Sequence, residues 1–95
     1  MRTYYVYILL CFDETYYVGV TNNMKRRLKE HQNSLNNESY TSSRLPVTLE
    51  CAIEFTNIIE AINFEKKIKR WSKAKKKALI EERYELLPRL SKKKF

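Results

Sequence analysis

Tyr17-Val18-Gly19-Val20-Thr21-Asn22-Asn23-Met24-Lys25-Arg26-Arg27-Leu28-Lys29-Glu30-His31 reads as a short strand, a glycine close to its end, a set of helix-capping residues and one amphipathic helix. This stretch holds the only glycine and the only histidine of the 95-residue chain. Beyond Asn23, Met24, Leu28, His31 and Leu35 recur at helical spacing, so His31 belongs to the buried stripe. At about 100° per residue, Arg27 falls on the shoulder of that stripe one turn before His31, while Arg26 and Lys29 point toward solvent. The two arginines are not equivalent.

Upstream, Tyr4-Tyr-Val-Tyr-Ile-Leu-Leu10 is β-branched, aromatic and nearly free of polar interruption, the pattern of a central strand covered on both faces. Phe12-Asp-Glu-Thr15 turns the chain into Tyr16-Tyr-Val-Gly-Val20, forming a hairpin. A register that sets Leu9 opposite Tyr17 sets Tyr7 opposite Gly19 and puts both tyrosines on one face. Gly19 then leaves room for the Tyr7 ring.

Downstream, Gln32 to Pro46 is polar and aperiodic, a long exposed connection. Val47, Leu49, Cys51, Ile53 and Phe55 alternate with Thr48, Glu50, Ala52 and Glu54, as in an edge strand with one dry face. Asn57 followed by Glu60 resembles a capping box opening a second helix to about Trp71. Its apolar face is Ile58, Ala61, Ile62, Phe64, Ile68 and Trp71, and Glu65 projects into it. A carboxylate facing a core needs a cation, a hydrogen-bonding network or a water-filled cleft. Ser72 caps a third helix through Ala74, Ala78, Leu79, Ile80 and Tyr84, ended by Pro88. These elements make one domain over residues 1–85, followed by a basic tail over 86–95.

Lysine and arginine number 19 against 11 acidic residues, a net charge of +8. The balance favours polyanionic partners, nucleic acid first and an anionic membrane surface second. No apolar run approaches the roughly 20 residues of a membrane span, and Met1-Arg2-Thr3 opens no hydrophobic leader, so a soluble, cytoplasmic protein is expected. Cys11 and Cys51 lack metal-type spacing and read as reduced core thiols.

Each feature also has a plainer reading. Tyr7 and Tyr17 suit a sheet as ordinary aromatics, His31 as a packing residue, and Arg27 as a partner for Glu30. Glu65 has Lys69 one turn ahead, but an exposed pair belongs on the polar face, and its position argues against that reading. The lysines from Lys66 to Lys77 are by default a solvated face. Arg44, with Tyr40, Thr41 and Ser43 in the long loop, is a candidate phosphate contact.

Taken together, Tyr5-Val-Tyr7, Tyr17-Val-Gly19, Arg27, His31 and Glu65 resemble the GIY-YIG nuclease superfamily over Tyr5 to about Trp71. The resemblance implies an α+β fold, a small three-stranded antiparallel sheet flanked by about three helices, and metal-dependent hydrolysis of a DNA phosphodiester, with structure-selective cleavage in repair or recombination as one setting. It implies that Tyr7 and Tyr17 are the paired site tyrosines, Arg27 the contact to the scissile phosphate, and Glu65 the single ligand of Mg2+ or Mn2+. His31 stands where the family has a tyrosine or histidine near the phosphate. Either tyrosine can then be the general base; its proton must leave near neutral pH against a reference pKa of about 10.

DNA is the expected partner, with RNA left open, and Arg26, Arg44, Lys69, Lys73 and Lys76 are its expected contacts. So small a domain leaves little surface for target selection, which makes a protein targeting partner an expectation as well. The sequence departs from the family pattern at Tyr5, where the motif has glycine, and at Val20, where several members have lysine. An asparagine that some members carry beyond the glutamate has no counterpart. A weakly active module that docks on nucleic acid or a protein is therefore the alternative.

Overall fold

The computed structural model describes residues 2–33 and 44–81. Its centre is β1 (Tyr4–Leu10), flanked by β2 (Tyr16–Thr21) and β3 (Thr48–Phe55) in the order β2-β1-β3, with both pairings antiparallel. Three helices complete the α+β fold, α1 (Met24–Gln32), α2 (Ile58–Lys69) and α3 (Lys73–Glu81). The expected Leu35, Tyr40, Thr41, Ser43, Tyr84 and Pro88, the domain boundary at residue 85 and the tail 86–95 lie outside the described residues.

β1 is buried on both faces because helices cover both. Val6 and Ile8 pack with Val18 and with Ala61 and Ile68 of α2 and Leu79 of α3. Tyr7, Leu9 and Cys11 point the other way, joining Val47 with Met24 and Leu28 of α1 and Tyr17 packed against them. The hairpin register is the expected one, Leu9 opposite Tyr17 and Tyr7 opposite Gly19.

β3 departs from simple alternation. Ile8 pairs with Cys51 but Leu9 pairs with Leu49, so Glu50 is the extra residue of a bulge. The bulge reverses the phase of the strand. Cys51, Ile53 and Phe55 face α2, whereas Val47 is buried on the α1 side and Leu49 remains 38% exposed. One continuous dry face is thereby corrected to two half-faces. Both cysteines are free thiols and sit on opposite faces of the sheet.

The caps form where the sequence places them. The Asn23 side chain accepts from the Arg26 amide, Asn57 from the Ile59 and Glu60 amides, and Ser72 from the Lys75 amide. On α2, Ala61, Glu65 and Ile68 are buried while Ile58, in the first turn, remains 37% exposed. Ala74 and Ala78 of α3 are exposed, and Leu79 is its buried anchor.

Candidate active site

Four predicted site residues converge on the α1 face of the sheet. Strand alternation aims Tyr7 and Tyr17 the same way, with ring centroids 6.2 Å apart. One turn separates Arg27 from His31 on α1, so both side chains reach toward β1. The His31 ring stands edge-on to both phenols, 5.9 Å from Tyr7 and 5.0 Å from Tyr17 between centroids.

The Tyr7 hydroxyl is the junction of this group. His31 Nε2 lies 3.0 Å from it, and the Arg27 Nε–H donates to it at 3.3 Å. The direction of the Tyr7–His31 bond follows the imidazole tautomer: in the Nδ1–H form Nε2 accepts the phenol proton, and in the Nε2–H form it donates to the phenol oxygen. Tyr17 also hydrogen-bonds into the group, supporting both Tyr7 and Arg27.

Protonation follows from burial. Tyr7 is 1% exposed, and burial pushes its pKa up to about 12 despite the opposing hydrogen bond from Arg27. His31, 2% exposed, is pushed below its ordinary value by burial and then by the Arg27 charge, with Glu30 countering. Around neutrality the pair is therefore a neutral phenol against a neutral imidazole. Burial works against the Arg27 charge, yet hydrogen bonds to Tyr7 and Glu30 outweigh it and raise its pKa. The Glu30 carboxylate accepts from Arg27 Nη1 at 3.1 Å, so the plainer pairing and the site contact coexist in one guanidinium.

Gly19 serves this junction by lacking a side chain. A Cβ there would fall onto the Tyr7 hydroxyl and within 2.5 Å of its Cζ. No glycine in the described residues has positive φ, so the requirement is for space rather than backbone freedom.

Glu65 stands on α2, and its link to the four runs through Lys69, which lines a groove with Tyr17. Glu65 is 8% exposed, as its place on the helix predicts, but its Oε2 is 2.8 Å from Lys69 Nζ. The expectation that position argues against this pair is corrected: the carboxylate is buried while the flexible lysine stem brings the ammonium in from the exposed side. That hydrogen bond raises the Lys69 pKa. Lys69 then lines a groove of about 320 Å³ with Tyr16, Tyr17, Val18 and Lys76. The groove joins the tyrosine side of the site to the lysines of α2 and α3.

Tyr16 was not among the residues expected at the site. It alternates with Tyr17 toward the opposite face, and only the wrap of the groove around the β2 edge brings both to one surface. The adjacent tyrosine pair is the one sequence signal for it. Arg26 is mostly exposed and pairs loosely with Glu30 at 3.7 Å. Arg44 is bonded to Asp13 at 2.9 Å, tying the hairpin turn to the start of the third strand's approach. Lys73 lies exposed in the first turn of α3.

A metal at this site has one donor to meet it. Among the described residues no group of three or more His, Cys, Asp and Glu side chains is placed to hold an ion. A single hard carboxylate suits Mg2+ or Mn2+, which keep most of their water, and Lys69, with 56% of its side chain exposed, is a displaceable occupant. Glu65 fits as a sole protein ligand once Lys69 turns away. No helix of the described residues is long and apolar enough to cross a membrane.

Comparison with known proteins identifies the family and the fold. A family profile described as the GIY-YIG catalytic domain matches residues 3–78. A UPF0213 protein of Halobacterium salinarum is 42% identical over 77 residues, covering 81% of this chain and 99% of that protein. Another from Bacillus licheniformis is 41% identical over 82 residues, covering 86% and 84%. The solution NMR structure of a UPF0213 protein from Bacillus halodurans aligns with a TM-score of 0.55 at 35% identity, covering 83% of each chain. The match supports a nuclease-type function with nucleic acid as the substrate class. Three independent likenesses, in motif, in sequence and in fold, thus converge, and the chain belongs to the GIY-YIG family, among its UPF0213 proteins.

Proposed function

We propose that this protein is a metal-dependent DNA endonuclease that hydrolyses phosphodiester bonds in the groove beside Tyr17. The observation that carries the reading is the buried chain Arg27, Tyr7, His31, which has no packing purpose that leucine would not serve as well. Arg27 presents its planar donors to a phosphate oxygen and binds more strongly as negative charge builds in the transition state.

The proton of the attacking water has a path inward. Tyr17 lines the groove and takes it, Tyr17 passes its own to Tyr7, and Tyr7 passes its own to His31 Nε2. Each phenol gains one proton and gives one, so no free phenolate forms, as the raised Tyr7 pKa requires. Water oxygen bonds to phosphorus, the bond to the 3′ oxygen breaks and that oxygen takes a proton from solvent water, while the proton of the attacking water resides on the imidazole. A divalent ion held by Glu65 would supply Lewis-acid stabilisation to the departing oxygen. Lys69, Lys73 and Lys76, with Arg26 and Arg44 farther out, serve as backbone contacts, and recombination or repair intermediates are the fitting substrates for a site with so little surface for base readout.

Purified protein should nick branched and flapped DNA only with Mg2+ or Mn2+, and Arg27→Ala or Glu65→Ala should lower the rate by roughly 10²–10³-fold. Equal residual activity in wild type and both variants would sink the proposal. The pairing of Glu65 with Lys69 favours one second reading, a docking module with little turnover. That module would bind with a log–log salt slope of about 0.9 per duplex phosphate and no dependence on Glu65.

A further inference from the structure

We propose that Lys69 is a tethered cation that holds the Glu65 carboxylate until a nucleic-acid phosphate draws it away, coupling metal loading to substrate binding. The inference rests on the reading of Glu65 as the metal ligand. Lys69 is then a positioning residue, acting on the ion through Glu65.

The geometry makes the two cations competitors. The Glu65 side chain is 10% exposed, and its Oε2 is 2.8 Å from Lys69 Nζ. A divalent ion on the same carboxylate is strongly repelled by that ammonium, so an ion arriving alone must displace it. The lysine, by contrast, has somewhere to go. Its side chain is 56% exposed, and Lys69 lines the groove with Lys76 and Tyr17. A phosphate in that groove offers Lys69 an alternative anion beside a second ammonium. When Lys69 turns to it, the carboxylate is left buried and unpaired, a costly state that an incoming divalent ion relieves. Linkage makes the coupling reciprocal: whatever factor nucleic acid adds to metal affinity, metal adds to nucleic-acid affinity.

The test is Mn2+ titration followed by electron paramagnetic resonance on wild type, Lys69→Met, Lys69→Gln and Glu65→Gln, with and without a short phosphorothioate duplex that resists hydrolysis. Lys69→Gln keeps a donor for the carboxylate and serves if the methionine variant fails to fold. Without DNA, both Lys69 variants should bind Mn2+ roughly fivefold more tightly, the size expected when an ion pair no longer has to be broken. The gain in Mn2+ affinity on adding DNA should shrink in both by the same factor. A Lys69 variant with wild-type Mn2+ affinity, alongside a Glu65→Gln protein that has lost binding, overturns the coupling and leaves Glu65 as the ligand. Mn2+ binding that survives Glu65→Gln overturns the reading of the site itself.

Discussion

Val6 and Ile8 point to one face of β1, Tyr7 and Leu9 to the other, and the two faces are built on different principles. The α2 side around Val6, Ile8, Val18, Ala61 and Ile68 is closed by apolar contact, where similar hydrophobes of equal volume are interchangeable. The α1 side buries a phenol, an imidazole and part of a guanidinium, and each is tolerated only because the others satisfy it. Among the described residues no buried side-chain nitrogen or oxygen lacks a partner. One strand therefore separates stability from chemistry by residue parity.

The largest effect that would break this division comes from the apolar side. Ile8→Ala should destabilise the protein by about 2–5 kcal/mol in chemical unfolding while leaving the cleavage rate per folded molecule unchanged. A variant that keeps its stability and loses its activity would show that the faces are not separable.

Gly19→Ala attacks the other face and should cost about 1–3 kcal/mol through overpacking against Tyr7, together with most of the activity. In the double variant Gly19→Ala, Tyr7→Val the clash is gone, so the two changes should cost less together than the sum of the single variants, while cleavage stays lost. Cleavage that survives in the double variant would mean that Tyr7 is only a packing residue.

A smaller effect sharpens the account of His31. Its folded pKa lies below the ordinary 6.5, so the unfolded chain takes the proton first. The stability it contributes is complete above that value and is lost as pH falls toward the folded pKa. Thermal melts of wild type should decline through this window, and those of His31→Gln should decline less. The cleavage rate should fall at acid pH as well, since a protonated imidazole accepts nothing from Tyr7. Parallel melting curves for the two proteins would remove His31 from the chain of protons.

Much of this was readable in advance because the signals are local. An uninterrupted β-branched and aromatic run located β1, with a turn leading into β2, Asn23, Asn57 and Ser72 marked the helix starts, and the spacing of Arg27 and His31 put both toward β1. The hairpin register assumed from the sequence, Leu9 opposite Tyr17, is the one that forms, although no diagnostic turn fixes it. The bulge at Glu50 was not, because a bulge is a property of the pairing with β1 and leaves no mark in the run of residues 47–55. On sequence alone the Glu65–Lys69 pair is weighed and set aside for a related reason: a helical wheel places Cβ atoms, whereas a long stem carries its charge around to a different side.

The sequence by itself determined the elements, their caps, the parity of Tyr7 and Tyr17, and the motif of a family, all matters of short-range sterics and periodicity. Only the tertiary structure decided that Tyr7 stays protonated, that His31 stays neutral, and that Glu65 meets Lys69. Those outcomes depend on desolvation and on charges brought together from β1, α1 and α2, and neither quantity exists until the chain has folded.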